Sequence, residues 1–259
     1  MWDFIEQVSV ITVDKERHDT IRENLETVGI RNYKLYTFKK KGKRNAPENI
    51  GIVDILKYDE KSCGDVAKEL YKSHIKLIRD AYYDNKNTVL VLEDDARFID
   101  TLSPEKIKRI GDWLTKNTTW EAFYFGGLSW GKCPISIPVT RDIMKCYNAL
   151  CGHSILFSRR GMKKIIDEYD PEPKVHVDRF YDTVLKEKYI CFPNINYQET
   201  DPALFSDAVN IIVPKGKNIF TPFVKIYNWI SYYFVIILII VIITIYIYRR
   251  YIRMQRRNI

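Results

Sequence analysis

The chain has 259 residues, enough for one large domain with an appendage, and is 46% hydrophobic and 29% charged, which excludes wholesale disorder. Its net charge of +8 is unevenly placed, because from Trp229 onward there are five arginines (Arg249, Arg250, Arg253, Arg256, Arg257) and no acid. The part before them is only weakly basic. A nucleic-acid binder carries its excess charge on the folded surface, so no nucleic-acid partner is expected.

Taken in chain order, Val8 to Val13 is a β-branched run that predicts a first strand. Glu16 to Val28 carries Ile21, Leu25 and Val28 at helical spacing and stops at Gly29. Tyr33 to Phe38 predicts a second strand, and Lys39 to Arg44 an exposed basic loop. Ser62, with Asp65 three residues on, reads as the N-cap of a longer helix. Its apolar stripe is Ala67, Leu70, Tyr71, His74, Leu77, Ile78 and Ala81. His74 on that stripe reads as a core histidine hydrogen-bonded to backbone. Thr88 to Leu92 is an apolar run without alternation, as in a strand covered on both faces, and it delivers Glu93, Asp94 and Asp95 at its carboxyl end.

Ser103-Pro104-Glu105 opens another helix with proline in its first turn. Ala122 to Phe125 predicts a strand closing on Gly126-Gly127, and Ser154 to Phe157 a further one followed by a helix over Gly161 to Tyr169. Val177 to Lys188 reads as helix and Tyr189 to Phe192 as a last strand. This succession predicts a Rossmann-like α/β domain over residues 1–210, with a mainly parallel sheet flanked by helices. Ligands in such sheets sit at the carboxyl ends of the strands.

Residues 211–228 read as a linker. Trp229 to Tyr248 is twenty residues without a charge, long enough for a helix to cross the ~30 Å bilayer core, with tyrosines toward both ends. A basic tail, 249–259, follows. The expectation is a single-pass, C-terminally anchored membrane protein. The tail arginines favour a cytosolic tail, but no signal-like segment opens the chain and translocating the whole domain without one is the harder step, so the domain is expected on the cytosolic side. Five cysteines without a C-x-x-C pair argue against a zinc site and predict free, partly buried thiols.

Three consecutive carboxylates after a buried strand repel one another and call for a compensating cation. Side chains alternate along a strand, so the three face one ion only if the chain turns at Asp94. Asp95, with Glu93 or Asp94, is assigned to the metal side, and oxygen-only ligation suits Mg²⁺ or Mn²⁺. Asp178 and Asp182 lie one helical turn apart on one face. Asp178 reads equally well as the N-cap of its helix.

The N-terminal SVITVDKERHDTIRENLETVGI, the block GDVAKELYKSHIKLIRDAYYDNKNTVLVLEDDARF, and CGHSILFSRRGMKKII with the later HVDRF resemble glycosyltransferase family 25. That family includes lipooligosaccharide and collagen hydroxylysine galactosyltransferases. The resemblance implies a GT-A-type fold, a UDP-sugar donor and Mn²⁺ or Mg²⁺ between the diphosphate and the acidic motif, here Asp94 and Asp95. It implies inverting transfer of a hexose, galactose or glucose, to a hydroxyl of a glycan, glycolipid or protein acceptor. Asp178, in the matching HVDRF block, becomes the candidate base. His153 becomes a candidate catalytic or ligand residue, or one that packs beneath the site. Glu93 and Asp182 are placed on the donor side, and Gly126 and Gly127 where backbone could approach donor or acceptor. The alternative is a catalytically inactive, membrane-tethered carbohydrate- or nucleotide-binding module of the same fold.

Overall fold

The computed structural model describes residues 1–12, 16–37, 65–129, 136–198 and 220–255. The basic loop Lys39 to Arg44 and the Ser62 cap lie outside these. Within them the chain opens with β1 (Gln7–Thr12), α1 (Glu16–Thr27), β2 (Lys34–Thr37), α2 (Asp65–Tyr83), β3 (Thr88–Glu93) and β4 (Ala96–Phe98). It continues through α3 (Pro104–Lys116), β5 (Ala122–Tyr124), β6 (Ser136–Thr140), β7 (Ile143–Cys146), β8 (Ser154–Ser158) and α4 (Arg159–Asp167). Last come α5 (Val177–Val184), β9 (Lys188–Cys191), β10 (Asn196–Gln198) and α6 (Phe220–Gln255).

Eight strands form one sheet in the order β2-β1-β3-β8-β5-β9-β7-β6, and β10 pairs with β4 in a separate two-stranded piece. Six of the eight point the same way; β7 and β8 run against them. The sheet is therefore mainly parallel in direction, as expected, although β8 sits antiparallel between β3 and β5.

The central strands feed two cores. In β3, Val89 and Val91 join the cluster made with α2, α4 and α5, while Leu90 and Leu92 join the one made with α1 and α3. A strand buried on both faces needs no polar alternation, which is why this segment reads as an unbroken apolar run.

Local signals end the elements where they should. After α1, Gly29 adopts φ +81°, and Ile30 N–H closes on the Leu25 carbonyl at 2.8 Å. Ser103 caps α3 by accepting the Lys106 N–H at 3.2 Å, with Pro104 next. The helix expected over Val177 to Lys188 is shorter. It stops at Val184 because Lys188 is drawn into β9, where its ammonium lies 2.8 Å from the Asp182 carboxylate, both side chains being buried. The β6–β7 hairpin and the β4–β10 pair were not expected from the sequence. Among the described cysteines, Cys146, Cys151 and Cys191 are free, and Cys146 and Cys191 are buried.

The C-terminal segment is one continuous helix of 36 residues, α6, which already occupies residues 220–228 where a linker was expected. Its stretch Tyr232–Arg250 is long and apolar enough to cross a membrane and is not buried against the protein.

Candidate active site

The site is built at the carboxyl end of β3. Glu93 ends the strand, and its N–H is held by the His153 carbonyl of neighbouring β8 at 2.9 Å. The chain then turns through Asp94 and Asp95 into β4, so the alternation that would scatter three strand side chains no longer applies. Asp94 lies 3.2 Å from the guanidinium of Arg17, from the first turn of α1. Asp95 accepts the Gln198 side-chain N–H at 2.9 Å, because β10 pairs Gln198 with Ala96. The other Asp95 oxygen, Oδ1, is buried with no hydrogen-bond partner among the described residues.

Asp178 enters from the first turn of α5. It is not the helix cap, a position held by His176. Its carboxylate instead accepts the Cys151 N–H at 3.2 Å and the Gly152 N–H. This explains two backbone features. Cys151 adopts φ 78°, costly for a non-glycine residue. At Gly152 an added Cβ would strike Asp178 Oδ1, so a larger residue would push the Asp178 carboxylate off this turn. Beneath them, His74 is fully buried, as its place on the α2 stripe predicts. Neither of its ring nitrogens is hydrogen-bonded among the described residues, contrary to the expectation of a backbone partner. Its Nε2 lies 3.3 Å from Glu93 Oε1, outside hydrogen-bonding geometry.

The electrostatics follow from burial. Burial, then the charges of Asp178 and Asp94, push the Glu93 carboxyl up to about 8. Burial and Glu93 push Asp95 up to about 7, against the opposing Gln198 hydrogen bond. Asp178 is also raised, by burial. Burial holds His74 down at about 4, so at neutral pH it is uncharged and offsets none of the negative charge above it.

The remaining sequence candidates are placed as follows. His153 is buried, held down to about 4 by burial, and its ring nitrogens have no hydrogen-bond partner among the described residues. Its ring packs on Gly126, where a Cβ would lie 2.6 Å from His153 Nε2 and collide with the Asn196 carbonyl. At Gly127 a Cβ would meet Tyr124 Cβ at 2.6 Å. The close approach at both glycines is thus with the protein itself. Asp182 accepts the Ala149 N–H at 2.9 Å and the Asn148 amide at 2.7 Å, besides pairing with Lys188.

The structure therefore brings Glu93, Asp94, Asp95 and Asp178 together, with Gly126 and His153 alongside, and turns Asp182 toward the 148–149 backbone. Gln198, His74 and the Cys151-Gly152 turn are site members that sequence reasoning did not assign. For Gly152 the available signal was its place in the CGHS block; for Gln198 there was none.

Among the described residues, no three His, Cys, Asp or Glu side chains are grouped closely enough to hold a metal ion by themselves. A hard cation such as Mg²⁺ ordinarily takes only one or two carboxylates and completes its shell with substrate phosphates and water. The buried, unpartnered Asp95 Oδ1, beside a Glu93 carboxyl that like Asp95 is raised chiefly by burial, fits that kind of site.

No family model matches the chain, and no curated protein does. Among solved structures it is similar to the A197 protein from STIV, with TM-score 0.43, 11% identity and coverage of 76% of this chain and 87% of that one. It is also similar to a UDP-glucose pyrophosphorylase complexed with UDP-glucose, with TM-score 0.41, 7% identity and coverage of 79% and 97%. A third is a glycosyltransferase involved in glycosylation of the major capsid of PBCV-1, with TM-score 0.37, 9% identity and coverage of 71% and 81%. Identities of this order carry no residue-level correspondence.

Proposed function

We propose that this chain is a metal-dependent, inverting glycosyltransferase, similar to family 25, that moves a hexose from a UDP-sugar to an acceptor hydroxyl. The observation that carries the reading is the convergence of Glu93, Asp94, Asp95 and Asp178 at the carboxyl end of β3, with Glu93 and Asp95 raised to about 8 and about 7. Carboxyls that resist ionisation when unaccompanied suit a cation-bound diphosphate, whose metal favours their charged form.

Asp95, with Asp94 or Glu93, would hold Mn²⁺ or Mg²⁺, which when bound supplies charge neutralisation for the nucleoside diphosphate leaving group. The protein's own contribution begins with Asp178. Its carboxylate takes the proton of the acceptor hydroxyl as that oxygen bonds to the anomeric carbon and the carbon–diphosphate bond breaks, its electron pair leaving with UDP. The Cys151 and Gly152 N–H groups aim this carboxylate and favour its ionised form. Neutral His74 packs against Glu93 without adding a positive charge beside it. The membrane reading of α6 is part of the same proposal: Tyr232–Arg250 anchors the domain at a bilayer.

A thermal-shift titration with UDP and Mn²⁺ tests it. The full chain in detergent should be stabilised by UDP only when Mn²⁺ is present, and Asp95→Ala should lose that response. Equal stabilisation in excess EDTA would refute the metal assignment.

A further inference from the structure

The register places one end of the sheet at a fixed position relative to the anchor. Val91 pairs with Ile155, Ile155 with Tyr124, and Tyr124 with Ile190. Glu93, the last residue of β3, and Phe192, the residue after β9, therefore lie at the same end of the sheet. Phe192 is where α6 attaches. Its ring stacks on Tyr232 at 4.3 Å and 4°, and meets Trp229 edge-on at 5.3 Å. Tyr232 is also the first residue of the apolar span. The point where the helix would enter hydrocarbon is thus packed against the end of the sheet at which Glu93 also stands. Three strand spacings separate Phe192 from Glu93, roughly 14 Å.

The edge next to this contact is apolar. Phe192 N–H bonds to the carbonyl of Asp142, at the tip of the β6–β7 hairpin. On β6, the edge strand, Ile137 and Val139 are 40% and 41% exposed, Val139 standing at the bulge between Pro138 and Thr140. Arg141, its side chain 70% exposed and its guanidinium 3.6 Å from Asp142, which Arg109 also pairs, stands at the hairpin tip. Trp229 and Tyr233 on α6 remain about half exposed at the same level. An edge strand with outward Ile and Val is an aggregation liability unless something covers it. Aromatic residues and a cation beside such a patch suit the headgroup layer.

We propose that the β6–β7 edge is seated on the phospholipid surface, so that the carboxylate cluster works at headgroup height and takes its acceptor from a membrane-borne molecule rather than from bulk solution. The docking rests on the membrane reading of α6; only its consequence for the acceptor rests on the sugar-transfer reading.

The test uses the full chain in nanodiscs of phosphatidylcholine and phosphatidylglycerol. A nitroxide is carried on a ketone side chain introduced in place of Ile137 and, separately, of Lys163, an exposed residue of α4. The docking predicts a severalfold higher ratio of oxygen to nickel-chelate collisions at 137 than at 163. Equal ratios at the two positions would overturn it. UDP–Mn²⁺ binding measured on the same samples reports the sugar-transfer reading separately, so a failure of one is not mistaken for failure of the other.

Discussion

Replacing Asp95 by asparagine should make the metal-free protein more stable at about pH 8. The Asp95 carboxyl is raised from 3.8 to about 7, first by burial and then by Glu93. Ionising an acid displaced that far costs about 4 kcal/mol. Glu93 accounts for part of that displacement, so the cost belongs partly to the pair, and removing Asp95 alone should recover about 2 kcal/mol. The sign follows from linkage. Below the unfolded value both states hold the proton and there is no cost. As pH rises from about 4 to about 7 the unfolded chain releases its proton more readily, and stability falls. Above about 7 the whole cost is present. For a domain of this size, about 2 kcal/mol is a Tm difference of about 4–8 °C. The asparagine variant should therefore melt higher than wild type by that amount in EDTA at about pH 8, and at the same temperature as wild type at about pH 4. Asparagine retains an oxygen for the Gln198 hydrogen bond, so that contact is preserved. A variant no more stable than wild type at the higher pH would refute the claim that these carboxylates repel one another in the metal-free site.

Other variants separate structure from chemistry. Asp178→Asn should keep UDP–Mn²⁺ binding but lose turnover by about 10²–10⁴-fold in kcat, since an amide accepts no proton. Lys188→Met should cost about 3–5 kcal/mol in chemical denaturation by leaving buried Asp182 unpaired; adding Asp182→Asn should recover part of the loss. Gly126→Ala should cost about 1–3 kcal/mol, because its methyl meets the Asn196 backbone carbonyl, which cannot swing away as a side chain can.

The parts of the fold that sequence made legible are those with a local cause. β3 announces itself as an apolar run because both its faces are covered, and α3 begins at Ser103-Pro104 because cap and proline act within one turn. The stripe on α2 locates His74 in the core because helical period alone decides the face. What sequence hid depends on distant partners. Nothing in SILFS says that β8 runs antiparallel, since direction is set by the chain segment inserted before it. Lys188 reads as a helix-terminal lysine until Asp182 is seen beside it. Asp178 reads as a cap until the Cys151-Gly152 turn, 26 or more residues earlier in the chain, takes its hydrogen bonds. The acidic triplet was visible at once; that its chain turns at Asp94, and that Gln198 ties down Asp95, required the β4–β10 pair.

Incubating the full chain with a panel of UDP-sugars, with and without Mn²⁺, and following UDP release tests the central proposal most directly. The account predicts slow release from a single UDP-hexose that depends on Mn²⁺ and is abolished by Asp95→Ala. Release that persists in excess EDTA, or an Asp95→Ala variant as active as wild type, would contradict it.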